Sequence, residues 1–279
     1  MRLGYNTNGF AHHRFDEALA ILAETGYQSV AITLDHQVLN PYGTSLPEEL
    51  EQVRRFLEQY RMSSVIETGA RFLLDSRVKH HPTLLSAAAA DRARRIDFLK
   101  RAIDIAGTLG SDAVSFWSGS LRDESSPDEA MDRLVSGCSE VLEHAIARNV
   151  RLAFEPEPGM FVARMEQYAE LARRVGHPFF GLTIDIGHVH CLDDGPIPQV
   201  LEEWAGRLFN IHIEDMRGGL HDHLMFGEGE IDFPPILAKL HEISYSGGVH
   251  VELSRHSHDA VEVARRAYDF LSSRRMRRS

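Results

Sequence analysis

Short runs of apolar, often β-branched residues recur along the chain, and longer stretches with helical spacing separate them. The short runs fall at residues 3–5, 29–34, 63–66, 113–116, 151–154, 181–184, 208–213 and 248–251. Each is too brief for a helix and reads as a strand buried on both faces. Segments 15–24, 48–60, 91–109, 128–148, 165–175, 198–204, 235–243 and 260–271 repeat apolar residues at the three-to-four spacing of an amphipathic helix. Gly26, Gly110, Gly176 and Gly206 follow such stretches, where a left-handed C-cap is expected. Ser126 before Pro127 and Asp128 reads as a helix N-cap. Strand followed by helix, eight times over, implies parallel strands joined by crossover helices. The count matches a single-domain (β/α)8 TIM barrel over residues 1–272, with an open doubly wound sheet as the structural alternative. Residues 273–279, with Arg274, Arg275, Arg277 and Arg278, are expected to form a basic solvated tail. The longest stretches without periodicity, 35–47, 68–83 and 215–233, follow strands, on the side where a barrel builds its active site.

A length of 279 residues suits one such barrel. The formal net charge of -11 repels phosphate backbones and argues against a nucleic-acid partner. No apolar run nears the roughly 20 residues of a membrane span. The first residues do not form the long apolar stretch of a signal peptide, so the cytoplasm is the expected location. Two cysteines, Cys138 and Cys191, allow one disulfide but suggest no secreted framework. The sequence is compatible with a homo-oligomer without specifying one. Sixteen histidines, many of them near carboxylates in the second half, prompt a search for metal ligands.

The last four predicted strands each deliver such a group. The fifth ends at Glu155, the sixth at Asp185, the seventh contains His212 and the eighth ends at Glu252. In a barrel those ends converge on one mouth, where three buried carboxylates repel one another. A divalent cation resolves that conflict, and a set of Glu, Asp and His without Cys favours Mn, Co, Mg or Zn. A solvated loop carboxylate is the bland alternative for any one of the four. Glu157 lies in a Pro-rich turn and competes with Glu155, which directly follows the apolar run. His188, three residues past Asp185, is a candidate substrate contact, second-metal ligand or capping group, whereas His190 reads as structural or exposed. After the seventh strand, Arg217 offers a planar donor fork for an anionic or hydroxyl-rich substrate, against the alternative of a surface arginine. His221 and His223 place two imidazoles in that same loop. His36, Glu67 and Trp117 end the second, third and fourth strands; Glu67 is a candidate for the pocket and Trp117 for an apolar wall against a sugar face. Neither a phosphate-loop motif nor a nucleophile elbow occurs.

These residues resemble the xylose isomerase-like TIM-barrel superfamily, in particular its sugar phosphate isomerase/epimerase group. The resemblance runs nearly end to end. It rests on Phe154-Glu155-Pro156, on the stretch from Gly181 to His188, on Asn210 to Asp215, on Gly227 to Phe233 and on Val251-Glu252. For ketose 3-epimerases of that superfamily, it implies one metal held by Glu155, Asp185, His212 and Glu252. It also implies two glutamates, Glu155 and Glu252, that pass a proton across the substrate carbon through an enediolate, with His188 and Arg217 on substrate oxygens. The apurinic endonucleases share the barrel and use three zinc ions. The corresponding extra ligands here would be His188 and the His221-Asp222-His223 pair, while Glu67 and Trp117 stand where the endonucleases have early histidines. The expected activity is a metal-dependent isomerase or epimerase of a small polyhydroxy carbonyl compound. The alternatives are a metal-dependent hydrolase, such as a phosphodiesterase, and an inosose-type dehydratase.

Overall fold

All eight apolar runs form strands, and nearly every strand residue is buried, as parallel strands covered on both faces require. The computed structural model describes residues 1–275. Strands β1 (Arg2–Asn6), β2 (Ser29–Thr33), β3 (Ser63–Glu67), β4 (Val114–Phe116), β5 (Leu152–Phe154), β6 (Phe180–Asp185) and β7 (Leu208–Ile213) belong to one sheet. A hairpin of β8 (Asp215–Arg217) and β9 (Leu220–Leu224) follows, and β10 (Gly248–Val251) supplies the last barrel strand. The order β1-β10-β7-β6-β5-β4-β3-β2 closes on itself with every neighbouring pair parallel, so the expected (β/α)8 barrel is present and the open sheet is not.

The surrounding helices are α1 (Phe15–Thr25), α2 (Leu46–Tyr60), α3 (Ala89–Leu109), α4 (Pro127–Ala147), α5 (Met165–Val175), α6 (Ile186–Cys191), α7 (Ile197–Glu203), α8 (Phe233–Glu242) and α9 (Ala260–Arg275). Gly26, Gly110 and Gly176 take the left-handed C-cap conformation, with φ of 110°, 65° and 64°. Gly206 does not: α7 ends at Glu203 with Trp204 as its C-cap, and Gly206 lies inside the 3-10 turn Ala205–Arg207 that leads into β7. The last helix continues to Arg275, past the expected start of the basic tail, and Arg277 and Arg278 lie outside the described residues.

Helix α4 starts with a reciprocal cap. The Ser126 hydroxyl accepts from the Glu129 N–H, and the Glu129 carboxylate accepts from the Ser126 N–H at 2.9 Å. Replacing Ser126 by Ala should cost about 1 kcal/mol, read as a lower denaturant midpoint at unchanged slope. No change in midpoint would mean that α4 is held by packing alone.

Beneath the mouth, the barrel interior is polar where apolar layers are usual. The His250 Nδ1–H donates to Asn210 Oδ1 at 2.8 Å, and its Nε2 lies 2.8 Å from the Ser29 hydroxyl. Ser115 and Thr183 hydrogen-bond at 2.9 Å in the same interior. The His250 ring fills space that Gly4 and Gly248 leave open, since a Cβ on either would meet it. Two features form where the hydrophobic pattern predicts neither strand nor helix: the short helix α6 directly after β6, and the β8–β9 hairpin. Cys138 and Cys191 are both buried and free. Among the described residues, no helix is long and apolar enough to cross a membrane.

Candidate metal centre

Strand register sets the site. Asp185 pairs with His212 across β6 and β7, and Val251 pairs with Ile213 across β10 and β7, so Glu252 emerges beside them. Glu155 follows β5 directly, its N–H bound to the Phe116 carbonyl at 2.8 Å. One ligand atom each from Glu155, Asp185, His212 and Glu252 lies within 4.8 Å of the others. His212 Nδ1 is 3.0 Å from Glu155 and 2.9 Å from Glu252, while its Nε2–H donates to Glu67 at 3.0 Å. Glu67 thereby holds the Nε2–H, which would leave Nδ1 as the ligand atom once an ion takes the place of its proton, an arrangement common behind metal-bound imidazoles. Glu67 Oε1 also accepts from Asn210, so the residue expected to reach substrate lines the cavity from behind the histidine.

A second layer of ligand atoms adjoins the first. His188, His221 and His223 form one group within the same 4.8 Å limit, and Asp185, Glu214 and His223 form another. His188 and His221 approach to 3.0 Å between Nε2 atoms. The His188 Nδ1–H points to the Pro156 carbonyl at 3.2 Å, which again leaves Nε2 as the ligand atom. Residues two apart on a strand share a face, so β9 sends both His221 and His223 inward. Asp215 anchors the loop beyond them, accepting from the N–H groups of Gly227 at 2.8 Å and Ile231 at 3.1 Å. That explains the Gly227-to-Phe233 motif as the frame of the hairpin.

Electrostatics make these residues a poor fit for an ion-free interior. Burial pushes the Glu155 and Glu214 carboxyls well above the usual range, and burial with the neighbouring Glu252 raises Glu157 to about 7. Burial opposes charge on Glu252 and Asp185 too, yet the facing imidazoles hold both low. Burial also opposes charge on His212, but Glu155, Glu67 and Glu252 outweigh it and keep its pKa well above the ordinary value. Asp185 Oδ2, both Glu214 oxygens and His223 Nδ1 are buried without a hydrogen-bond partner. Buried polar atoms are rarely left so, and clustered oxygens and imidazole nitrogens are what a divalent ion takes. The donor set therefore fits a metal. Gly187 leaves room for the Glu214 side chain: a Cβ there would strike the Glu214 carboxylate and Met216.

The cavity above the group has a volume of about 580 Å³ and is lined by Glu67, Trp117, Glu155, Glu157, His188, His212, His221, His223 and Glu252, among others. Trp117 forms one wall, with the fully buried Arg95 guanidinium 4.7 Å from its ring. Burial lowers the Arg95 pKa to about 9. Arg217 is not brought to the cavity. It ends β8 at the hairpin turn, faces solvent and donates to the Glu228 carbonyl at 3.0 Å. His36 is exposed and lines an adjoining smaller cavity, and His190 is half-buried, 3.8 Å from Glu230.

The sequence reading missed Glu214 and Asn8. Alternation along β7 carries the signal for Glu214, because Asn210, His212 and Glu214 fall on one face. Asn8, just after β1, donates to Glu252 Oε1 at 2.7 Å, and nothing in the residue type announces it.

A family model described as xylose isomerase-like TIM barrel matches residues 19–274. The L-ribulose-5-phosphate 3-epimerase UlaE of Salmonella paratyphi C is 27% identical over 217 residues, which is 76% of this chain and 75% of the relative. The D-allulose 3-epimerase from Methylomonas sp., solved in complex with D-allulose, superposes with a TM-score of 0.77 at 18% identity, covering 98% of this chain and 97% of that one. The IolI protein, solved with a binding zinc atom, superposes with a TM-score of 0.77 at 20% identity, covering 99% of this chain and 98% of that one. At such identities the structural likenesses establish the fold.

Proposed function

Since the chain belongs to the xylose isomerase-like TIM-barrel family, we propose that it is a divalent-metal-dependent isomerase or epimerase of a small sugar or polyol carbonyl compound. Its homologues are sugar epimerases, which supports that substrate class. The observation that carries the reading is the convergence of Glu155, Asp185, His212 and Glu252 at the ends of successive barrel strands. Those four would hold the ion, which is Mn, Co, Mg or Zn by donor type. When bound, a divalent ion supplies electrophilic polarisation of a carbonyl and its neighbouring hydroxyl, acidifying the C–H between them.

The chain's own groups then move the proton. Glu155 and Glu252 flank His212 from different strands. One carboxylate takes the proton from the carbon beside the carbonyl, leaving an enediolate, and the other returns a proton to the same carbon from the opposite face. Asn8 holds Glu252 Oε1 by its amide, and His212, itself held by Glu67, lies 3.0 Å from Glu155, so both carboxylates are positioned before substrate enters. Trp117 offers an apolar wall to a sugar face.

A second reading is favoured by the three-imidazole group. His188, His221 and His223, with Asp185 and Glu214 beside them, would hold a further cation, as a multinuclear hydrolase of phosphodiesters requires. Solvent isotopes separate the two. Candidate ketoses, inososes and their phosphates incubated in deuterated water should gain deuterium on the carbon beside the carbonyl. Oxygen-18 from solvent in a cleaved phosphodiester, with no carbon-bound deuterium in any polyol, would replace the isomerase by the hydrolase.

A further inference from the structure

Asn210 and His250 are fully buried in the barrel interior, and neither belongs to the ligand group at the mouth. Strand alternation turns Asn210 to the same face of β7 as His212, and His250 on β10 pairs in register with His212. Branched apolar side chains usually fill this part of such a barrel. Here two glycines make way for a ring. A Cβ on Gly4 of β1 would lie 2.3 Å from His250 Cδ2, and one on Gly248 of β10 would lie 2.2 Å from its Cε1. Glycine inside a strand weakens it and marks such a close approach. The interior therefore gives up apolar packing for polar groups, and those groups are joined.

The polarity of each link follows from the one before. The Glu67 carboxylate only accepts, so Asn210 turns its amide nitrogen to Glu67 Oε1 at 3.1 Å and its Oδ1 to His250. The amide oxygen only accepts as well, so His250 donates from Nδ1 at 2.8 Å. Burial and the neighbouring His212 hold the His250 pKa well below its ordinary value, which leaves a neutral ring with a lone pair on Nε2. The Ser29 hydroxyl, 2.8 Å away, donates to that lone pair and accepts from the Ser63 hydroxyl at 2.9 Å. Every donor in the run points toward Glu67. The His212 Nε2–H arrives at the same Glu67 oxygen at 3.0 Å, which is why the Asn210 and His212 nitrogens, both donors, lie 3.2 Å apart. Hydrogen bonds chained in this way polarise one another in a low-dielectric interior.

We propose that Asn210 and His250 are positioning residues for His212: with Ser29 they form a one-way chain of donors that holds the Glu67 carboxylate where it orients the His212 ring toward the ligand group. Turning the Asn210 amide over would set its oxygen against the carboxylate and its nitrogen against the His250 N–H, so the two neighbours lock it from both sides. Partners behind a metal-bound imidazole set its orientation and basicity, and their loss typically costs about 10- to 100-fold in metal affinity. The inference rests on the proposed metal site for its consequence and on these hydrogen bonds for the chain itself.

The test is a cobalt(II) titration of the purified full-length protein against a competing chelator, with the visible absorption of bound cobalt as a report on ligand geometry. Asn210→Leu and His250→Phe roughly keep volume and break the chain. Each should weaken cobalt binding by about 10- to 100-fold and shift the absorption bands at saturation. Ser29→Ala, at the far end, should weaken it less. His250→Asn returns an N–H near the position of Nδ1 and should restore part of the affinity. If His250→Phe does not fold, Asn210→Leu and Ser29→Ala carry the comparison. Unchanged affinity and absorption in Asn210→Leu, with only a lower thermal midpoint, would make the network packing and overturn the proposal, as would equal losses in His250→Phe and His250→Asn. Nitrogen-15 spectra of the histidine rings in metal-free protein give an independent readout. His250 should carry its proton on Nδ1, and the His212 ring signals should move in Asn210→Leu. A His250 protonated on Nε2, or His212 signals that do not respond, removes the chain. If wild type binds no cobalt, the metal reading fails while these spectra still decide the positioning of His212.

Discussion

Glu155→Gln and Glu252→Gln are each expected to lower turnover by at least about 10²- to 10⁴-fold, the range of a lost general acid or base. Both side chains lie about one hydrogen bond from His212 Nδ1, at 3.0 and 2.9 Å, and both also belong to the proposed ligand group. An amide keeps the shape but cannot accept the proton, and it donates where a cation needs an oxygen. The loss should therefore appear in kcat, with the metal content of each variant measured alongside. Deuterium exchange adds resolution. A single-glutamate variant that still washes deuterium into substrate, yet forms no epimer, would identify the surviving glutamate as the one facing that proton. Glu157→Gln should be much milder, because Glu157 lies outside the four-residue group although it lines the cavity. Near-normal turnover in either principal variant would end the two-glutamate mechanism, and a larger loss at Glu157 would transfer the role to it.

The barrel was legible because its strands are fully buried. Apolar runs such as those that form β6 and β10 have no solvent side to blur their boundaries, and they end on the residues that matter. The same logic exposed Glu155, Asp185, His212 and Glu252, since a carboxylate or imidazole at or near the C-terminal end of a buried strand has few places to point. Glu214 escaped although it too lies one residue past a strand end, because His212 already filled the seventh strand's role. The structure separates it from its neighbour Asp215 by hydrogen bonding: Asp215 is satisfied by backbone N–H groups, and Glu214 by none.

What could not be read depends on loop geometry. Arg217 looked suited to substrate, but the hairpin turn at Gly218 and Gly219 leaves it facing water. Asn8 reaches Glu252 across 244 residues of sequence, a contact created by closure of the barrel between β1 and β10. Helix α6 is too short to show a period, and its start depends on Asp185 accepting from the His188 N–H at 3.0 Å, a cap by a residue already assigned to chemistry. Local pattern finds the elements that carry the site; long-range closure decides which loop residues join it.

Removing divalent metal should abolish activity and lower the melting temperature, and adding it back should restore both. The reason is the charge inventory at the mouth. Glu155, Asp185, Glu214 and Glu252 gather there with Glu157 on the cavity wall, and atoms of Asp185 and Glu214 are buried without hydrogen-bond partners. Without an ion, burial and mutual repulsion force some of these carboxyls to stay protonated, which leaves their hydrogen bonding poorly matched. An ion that binds only the folded chain stabilises it by about 4 kcal/mol when present at a thousand times its dissociation constant. Loss of that stabilisation should shift the thermal midpoint by several degrees, about 2–4 °C per kcal/mol for a chain of this size class. His212→Ala should reproduce the stripped state at saturating metal, because it removes the one imidazole of the four-residue group. Metal counting then divides the two functional readings. One equivalent, retained in His188→Ala and His223→Ala, fits the isomerase. Two equivalents in wild type, one of them lost in each of those variants, would place a second ion among His188, His221 and His223 and move the assignment to the hydrolase. Full activity in the stripped protein, with an unchanged midpoint on adding Mn, Co, Mg or Zn, would remove metal from the mechanism and leave the buried carboxyls to be explained as protonated acids.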